Sequence, residues 1–226
     1  MSQARTKVWY FENFNILKAL SPNEKQALAG ASAMRKIPKN SIIYFPDDED
    51  RKLYFVKEGK VKISFYSSEG KEMILSLLSP GELFGELAIL GESTRGEIAE
   101  VVEDTLICSI SIDQLENILV KNAVFNRQIT KLIGLRLRKV QSRLTSLVFK
   151  SAPERIRAFI KELADEHGQM LLTGQKEVKL HLTHEEIAKL TATARQSVTS
   201  VFSELEKAGI IAYDRHRILV IDYDRL

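Results

Sequence analysis

From Asp113 to about Phe149 the chain reads as continuously helical, and no proline falls between Pro80 and Pro153. Within this stretch Ile133, Leu137, Val140, Leu144 and Leu147 recur at alternating steps of four and three, which lays an apolar seam along one helix face. Leu132 and Leu135 mark a second apolar edge. At 226 residues the chain is long enough for two domains of ordinary size, each with its own core. One edge can pack on the preceding domain and leave the seam to a partner helix, which predicts a parallel homodimer. A single broad buried face in a monomer is the other reading.

Before the helix, residues 11 to 35 hold a helical stretch in which Ser21 is an N-cap and Pro22 takes the first helical position. From Lys36 to Ile112 the pattern changes to short runs, SIIYF, LYFVKEG, KVKISFYS, EMILSLL and LICSISI. Turns are expected at Pro46-Asp47-Asp48, Glu58-Gly59 and Ser68-Glu69-Gly70, and strands at this spacing predict a small antiparallel roll. The expected class is α+β, divided into a roll domain with its N-terminal helix over 1–112, the long helix over 113–150 and a third part over 151–226.

Ser151-Ala152-Pro153 breaks the helix and marks a hinge. PERIRAFIKELADEHG then reads as a helix ended by Gly168, with short strands at MLLT and EVKLHL. Thr183 and Glu186 form a capping box at the start of a short helix that turns Ile187 and Leu190 inward. Thr191 to Ala194 supplies a turn, and a second helix follows from Arg195 to Leu205 with Val198, Val201, Phe202 and Leu205 on its buried face. Arg195, Gln196, Thr199 and Ser200 are left on the other face near its start, where a helix-turn-helix places its base readers. Arginine can donate two bonds to guanine, glutamine can pair with adenine, and the hydroxyls of Thr183, Thr193, Ser197 and their neighbours can reach phosphates. IIAYDRHRILVI reads as a hairpin wing with Arg215, His216 and Arg217 near its tip, placed to follow a DNA backbone. A winged helix used only for protein contacts is the competing reading.

Charge alone does not identify such a partner. Residues 151–226 carry 11 Lys and Arg against 12 Asp and Glu, so a DNA footprint there must be local. The single cysteine, Cys108, sits in the apolar setting LICSI and reads as a buried structural thiol. All four histidines, His167, His181, His184 and His216, lie in the last 60 residues, so the N-terminal part offers no histidine for a metal or haem. No run approaches a membrane span, and MSQARTKVWYFENF lacks a signal-peptide core, which predicts a cytoplasmic protein that binds no membrane. Neither a nucleophile–base pairing nor a phosphate-loop lysine appears, and an enzyme is not expected.

EGKEMILSLLSPGELFGELAIL in the predicted roll, followed by the long helix and the helix-turn-helix of Thr183 to Leu205, resembles the cyclic-AMP receptor protein and fumarate-nitrate regulator (Crp-Fnr) family of bacterial transcription factors. The resemblance covers nearly the whole chain. It implies a homodimer on a pseudo-palindromic site in double-stranded DNA, RNA polymerase as a partner and a small effector in the roll. Gly85, Glu86 and the adjoining Leu87 match the element whose glutamate binds the ribose hydroxyl, and Arg95 matches the arginine of the cyclic phosphate. The chain departs from the pattern next door, where Gly96 replaces a hydroxyl residue and Glu97 brings a carboxylate to the phosphate position. Val140 and Gln141 also stand where cyclic-AMP receptors present hydroxyls to the adenine. A carboxylate beside a phosphate is repulsive, so Glu97 is expected to pair with Arg95 and fill the site against cyclic AMP. Three effector states remain open: a cyclic nucleotide, another small molecule, or a constitutive dimer with none. The cysteine set of the iron-sulfur branch is absent and residues 1–166 hold no histidine, so neither cluster nor haem is expected.

Overall fold

Ser21 starts helix α1, Pro22–Ala31, by a reciprocal cap: its hydroxyl accepts from the Glu24 amide at 3.4 Å and its own amide donates to the Glu24 carboxylate at 2.8 Å. The computed structural model describes residues 17, 20–49, 51–90, 96–179, 182–214 and 216–226. They belong to two compact units, Met1–Lys139 and Val140–Leu226.

The first unit holds strands β1 (Ala33–Ile37), β2 (Ile42–Tyr44), β3 (Lys52–Tyr66), β4 (Glu72–Leu78), β5 (Leu83–Phe84) and β6 (Ile98–Ser111). They form one antiparallel sheet in the order β1-β6-β3-β4, with β2 added on β6 and β5 on β3. Two expectations change here. The β pattern is expected from Lys36, but Ser32 already turns extended and β1 pairs with β6 from Ala33↔Ser109 to Ile37↔Thr105. That five-residue ladder outweighs the weak helical pattern of Ala-Met-Arg-Lys. Glu58-Gly59 is also no turn, because β3 runs straight through it and only its register against β6 shifts there. Gly59 sits at φ +82°, and the Thr105 hydroxyl fills the irregularity by accepting from the Lys60 amide at 3.0 Å and donating to the Lys60 carbonyl at 3.1 Å. This is a bulge, one of the few strand positions where glycine's freedom is required.

Tyr44, Tyr54, Val61, Ile63, Phe84 and Ala99 fill one core of the sheet. Leu53, Phe55 and the buried Cys108 pack with Leu28 of α1, Leu115 and Phe125 in another. The predicted uninterrupted helix is two: α2, Ile112–Lys121, and α3, Ala123–Phe149. Asn122 causes the break. Its amide closes α2 on the Ile118 carbonyl at 3.1 Å, its Oδ1 accepts from the Phe125 amide at 2.8 Å as a cap for α3, and its Nδ2 donates to Glu24 of α1 at 2.6 Å. Leu132 packs on the core of Leu53, Leu115 and Phe125, whereas Leu135, expected beside it, is exposed.

The second unit contains α4 (Ala152–Glu166), α5 (His184–Thr191) and α6 (Arg195–Lys207), with strands β7 (Gly168–Met170), β8 (Lys176–Val178), β9 (Ile211–Tyr213) and β10 (Ile218–Val220) in the order β7-β8-β10-β9. The first two strands lie apart from their predicted places because Leu171 to Gln175 close the turn, the Leu171 amide donating to the Gln175 carbonyl at 2.8 Å. Ile156, Ile160, Val178, Val198, Phe202 and Leu205 are among the residues that build this core. Among the described residues no helix is long and apolar enough to cross a membrane.

Between α5 and α6 the chain reverses through Ala192, which adopts the left-handed conformation at φ 51°, ψ 51°. A side chain there is strained by about 1 kcal/mol or more, partly offset by the larger unfolded-state freedom of glycine. Ala192→Gly is expected to stabilise the second unit by about 0.5 to 1 kcal/mol, read as an upward shift of its urea-unfolding midpoint.

Candidate nucleic-acid interface and effector site

The capping box of α5 forms as its sequence dictates: the Thr183 hydroxyl accepts from the Glu186 amide at 3.2 Å, and the Glu186 carboxylate accepts from the Thr183 amide at 2.7 Å. Thr193 lies in the turn, its hydroxyl 2.9 Å from that of Thr191. On α6, Val198, Val201, Phe202 and Leu205 are buried as expected; Arg195, Gln196, Thr199 and Ser200 are exposed and Ser197 is half-buried. Among the described residues the side chains of Arg195, Gln196 and Ser200 make no hydrogen bond or ion pair, so their donors face water uncommitted.

Two residues that the sequence did not single out organise this surface. Arg155 of α4 donates from Nε to the Thr191 carbonyl at 3.0 Å and from Nη2 to the Ala192 carbonyl at 2.9 Å. Its Nη1 donates to the Lys150 carbonyl at 2.9 Å, so one guanidinium joins the end of α3 to the turn before α6. His184, the first residue of α5, is the other. Its ring lies 5.0 Å from Phe202 and 5.8 Å from Tyr213, with Nδ1 3.0 Å from the Thr199 hydroxyl. Burial first, and the Arg195 guanidinium second, hold the His184 imidazole below its usual pKa, so it is neutral at pH 7.

The wing departs from expectation. Arg217 is exposed, but it donates to Asp214 at 3.2 Å and to Glu177 at 2.9 Å; the His216 amide first and Arg217 second lower the Asp214 carboxyl, Arg217 lowers that of Glu177, and both carboxylates raise the guanidinium. Leu219 of β10 pairs with Glu177 of β8, which brings that carboxylate beside the wing. The positive charge predicted for Arg217 is thus balanced locally. His216 is exposed, and Arg215 lies outside the described residues.

In the first unit, Gly85 at φ +81° brings the chain against β3, where a Cβ would stand 2.7 Å from the Lys52 carbonyl oxygen. Glu86 opens a 3₁₀ turn over Glu86–Leu90 and pairs with Arg136 of α3, whose second amino group donates to the Leu83 carbonyl. Leu87 is exposed. Gly96 has φ +69°, and Glu97 is buried, accepting at 2.6 Å from the hydroxyl of Tyr44. Tyr44 in turn packs on Phe84, the neighbour of Gly85, with ring centres 6.1 Å apart. Arg95 lies outside the described residues, and with it the expected pair with Glu97. Val140 and Gln141 belong to the second unit and are exposed on α3. Ile133, Leu137, Leu144 and Leu147 are likewise exposed. No group of three or more His, Cys, Asp or Glu among the described residues could hold a metal ion.

Residues 34–122 match the family model of the cyclic nucleotide-binding domain, and residues 154–226 match the Crp-like helix-turn-helix domain. The chain is 26% identical over 211 residues to the CRP-like cAMP-activated global transcriptional regulator of Mycobacterium tuberculosis, covering 93% of this chain and 94% of that protein. It is 28% identical over 197 residues to the cyclic AMP receptor protein of Thermus thermophilus, covering 87% of each. A solved structure of a CooA mutant from Carboxydothermus hydrogenoformans superposes with a TM-score of 0.82 at 27% identity, covering 94% of both chains.

Proposed function

We infer that this chain, which belongs to the Crp-Fnr family of transcription regulators, is a homodimeric, sequence-specific DNA-binding regulator governed by a small effector in its roll. The observation that carries this reading is the start of α6, where Arg195 and Gln196 stand exposed and uncommitted on a helix whose back face is buried. In a helix-turn-helix those positions enter the major groove. A protein-docking surface is the weaker alternative, because it leaves the match of residues 154–226 to a Crp-like DNA-binding module without a role.

The partner helix is supplied by a second copy. Ile133, Leu137, Val140, Leu144 and Leu147 leave 41% to 62% of their surface in water, an apolar seam that a parallel copy of α3 would cover. Two recognition helices related by that axis fit a pseudo-palindromic site with half-sites about one helical turn apart. Residues 1–112 serve as the sensing domain, 113–150 as the dimerisation segment and 151–226 as the DNA-binding domain, with RNA polymerase as the downstream partner and the cytoplasm as the place of action. Regulation is a population shift: an effector repositions α3 and the Ser151–Pro153 hinge, and Arg155 carries the movement of Lys150 to the turn of the reader.

For the effector, the buried Glu97 carboxylate held by Tyr44 supports a ligand other than cyclic AMP, because a cyclic phosphate beside it meets like charge. Cyclic-AMP control is a property of the Mycobacterium and Thermus relatives by their names. Neither haem nor an iron-sulfur cluster enters this reading.

Three outcomes test it. Arg195→Ala is expected to weaken specific binding by about 1 to 3 kcal/mol and relax preference at one base pair per half-site, while the wild type shows a steep salt dependence in gel shifts; a variant with unchanged sequence preference rejects the assignment. Leu137→Glu combined with Leu144→Glu places like charges across the seam, and sedimentation should then report a monomer where the wild type is a dimer. Calorimetry should find little cyclic-AMP binding to the wild type and tighter binding to Glu97→Ser; strong binding by the unmodified protein overturns the effector reading.

A further inference from the structure

Resting on the DNA-binding reading above, one residue of the recognition helix acquires a definite chemistry. Thr199 is exposed on the same face of α6 as Arg195. Its hydroxyl, however, is spent inside the protein. The Arg195 carbonyl, 3.1 Å away, can only accept, so it takes the one hydroxyl proton. His184 Nδ1, 3.0 Å from the same oxygen, must therefore be the donor, which assigns the imidazole its Nδ1–H form. Phe202 and Tyr213 wall the ring on the side of the core, and His184 itself is fixed at the start of α5 by the Thr183 cap. A threonine Cβ bears only a hydroxyl, a methyl and a hydrogen. With the hydroxyl turned to its own helix and to α5, the methyl is the group that the exposed side chain has left to offer.

We propose that Thr199 recognises the 5-methyl group of a thymine in the major groove, and that His184 is the positioning residue that keeps the Thr199 hydroxyl off the bases. The major-groove edge of thymine carries that methyl beside its O4 acceptor, and a threonine methyl is a suitable apolar partner. Thr199 thus contributes apolar readout where its residue type suggests a polar contact. Arg195, one turn earlier, supplies the charged contact.

The test uses the full chain. A binding site is first selected from a random duplex pool, with and without cyclic AMP, and each thymine in it is then replaced by uracil, which deletes only the 5-methyl group. One symmetry-related pair of positions is expected to lose about fourfold in affinity per half-site, the worth of burying one methyl. Thr199→Val keeps a methyl and should keep that thymine-over-uracil ratio. Thr199→Ser keeps the hydroxyl and should bring the ratio to one. His184→Phe preserves the ring between Phe202 and Tyr213 but removes Nδ1; it should shrink the ratio when residue 199 is threonine and leave it unchanged in the Thr199→Val background, a difference that a general loss of folding would not produce. A flat uracil scan on a specifically bound site, or a ratio that survives Thr199→Ser, overturns the methyl contact while leaving the DNA-binding reading intact. Selection of no specific site under either condition overturns both. An equal effect of His184→Phe in both backgrounds removes His184 from its positioning role.

Discussion

The antiparallel ladder between β3 and β6 is the constraint on which the first unit depends. It runs from Lys52↔Ser111 to Ser64↔Ile98, the longest pairing in the molecule's described residues, and β1, β2, β4 and β5 all attach to one or other of its two strands. Its inward residues divide between two cores, so the same pair of strands carries the interior of the roll on one side and the seat of α1, α2 and the start of α3 on the other. Strands of this length must twist and bend to close a roll, and the register shifts around Glu58 and Lys60 provide that bend. Gly85 then presses the 3₁₀ turn against the opposite end of β3, at Lys52. The candidate effector residues Glu86 and Glu97 are consequently placed by strand pairing, and their partners, Arg136 and Tyr44, arrive from elements distant in sequence.

Much of this was legible in the chain before any coordinates. The N-cap at Ser21 and the capping box at Thr183 are local chemistry, and both formed where the residue types required. The buried and exposed faces of α6 follow directly from helical spacing. Two of the misreadings share one cause, which is that long-range partners override local signals. Glu58-Gly59 has turn composition, but β6 supplies a continuous partner across it. Asn122 is a modest interruption in a helical pattern, and it becomes a joint because Glu24 and the Phe125 amide satisfy both ends of its amide. Arg136, Arg155 and His184 carried no motif at all. Each is defined by carbonyls, carboxylates or rings that only the fold brings near.

The electrostatics of the second unit follow the same logic. Residues 151–226 carry one more Asp and Glu than Lys and Arg, and Arg217, the described guanidinium of the wing, is balanced by Asp214 and Glu177. Among the described residues Arg195 has no such counter-charge, so positive potential concentrates at the beginning of α6, where it adds to the positive end of the helix dipole. The same guanidinium adds to burial in keeping His184 uncharged. A domain with little net attraction for polyanions can in this way present one strongly attractive point.

The three hydrogen bonds from Arg155 all end on main-chain oxygens, those of Lys150, Thr191 and Ala192. Every residue type supplies such an oxygen. Side chains in the turn and along the outer face of α6 can therefore be exchanged without cutting the connection to α3. The tie from Lys150 through Arg155 to the turn before α6 is thus indifferent to which side chains that turn and that face carry.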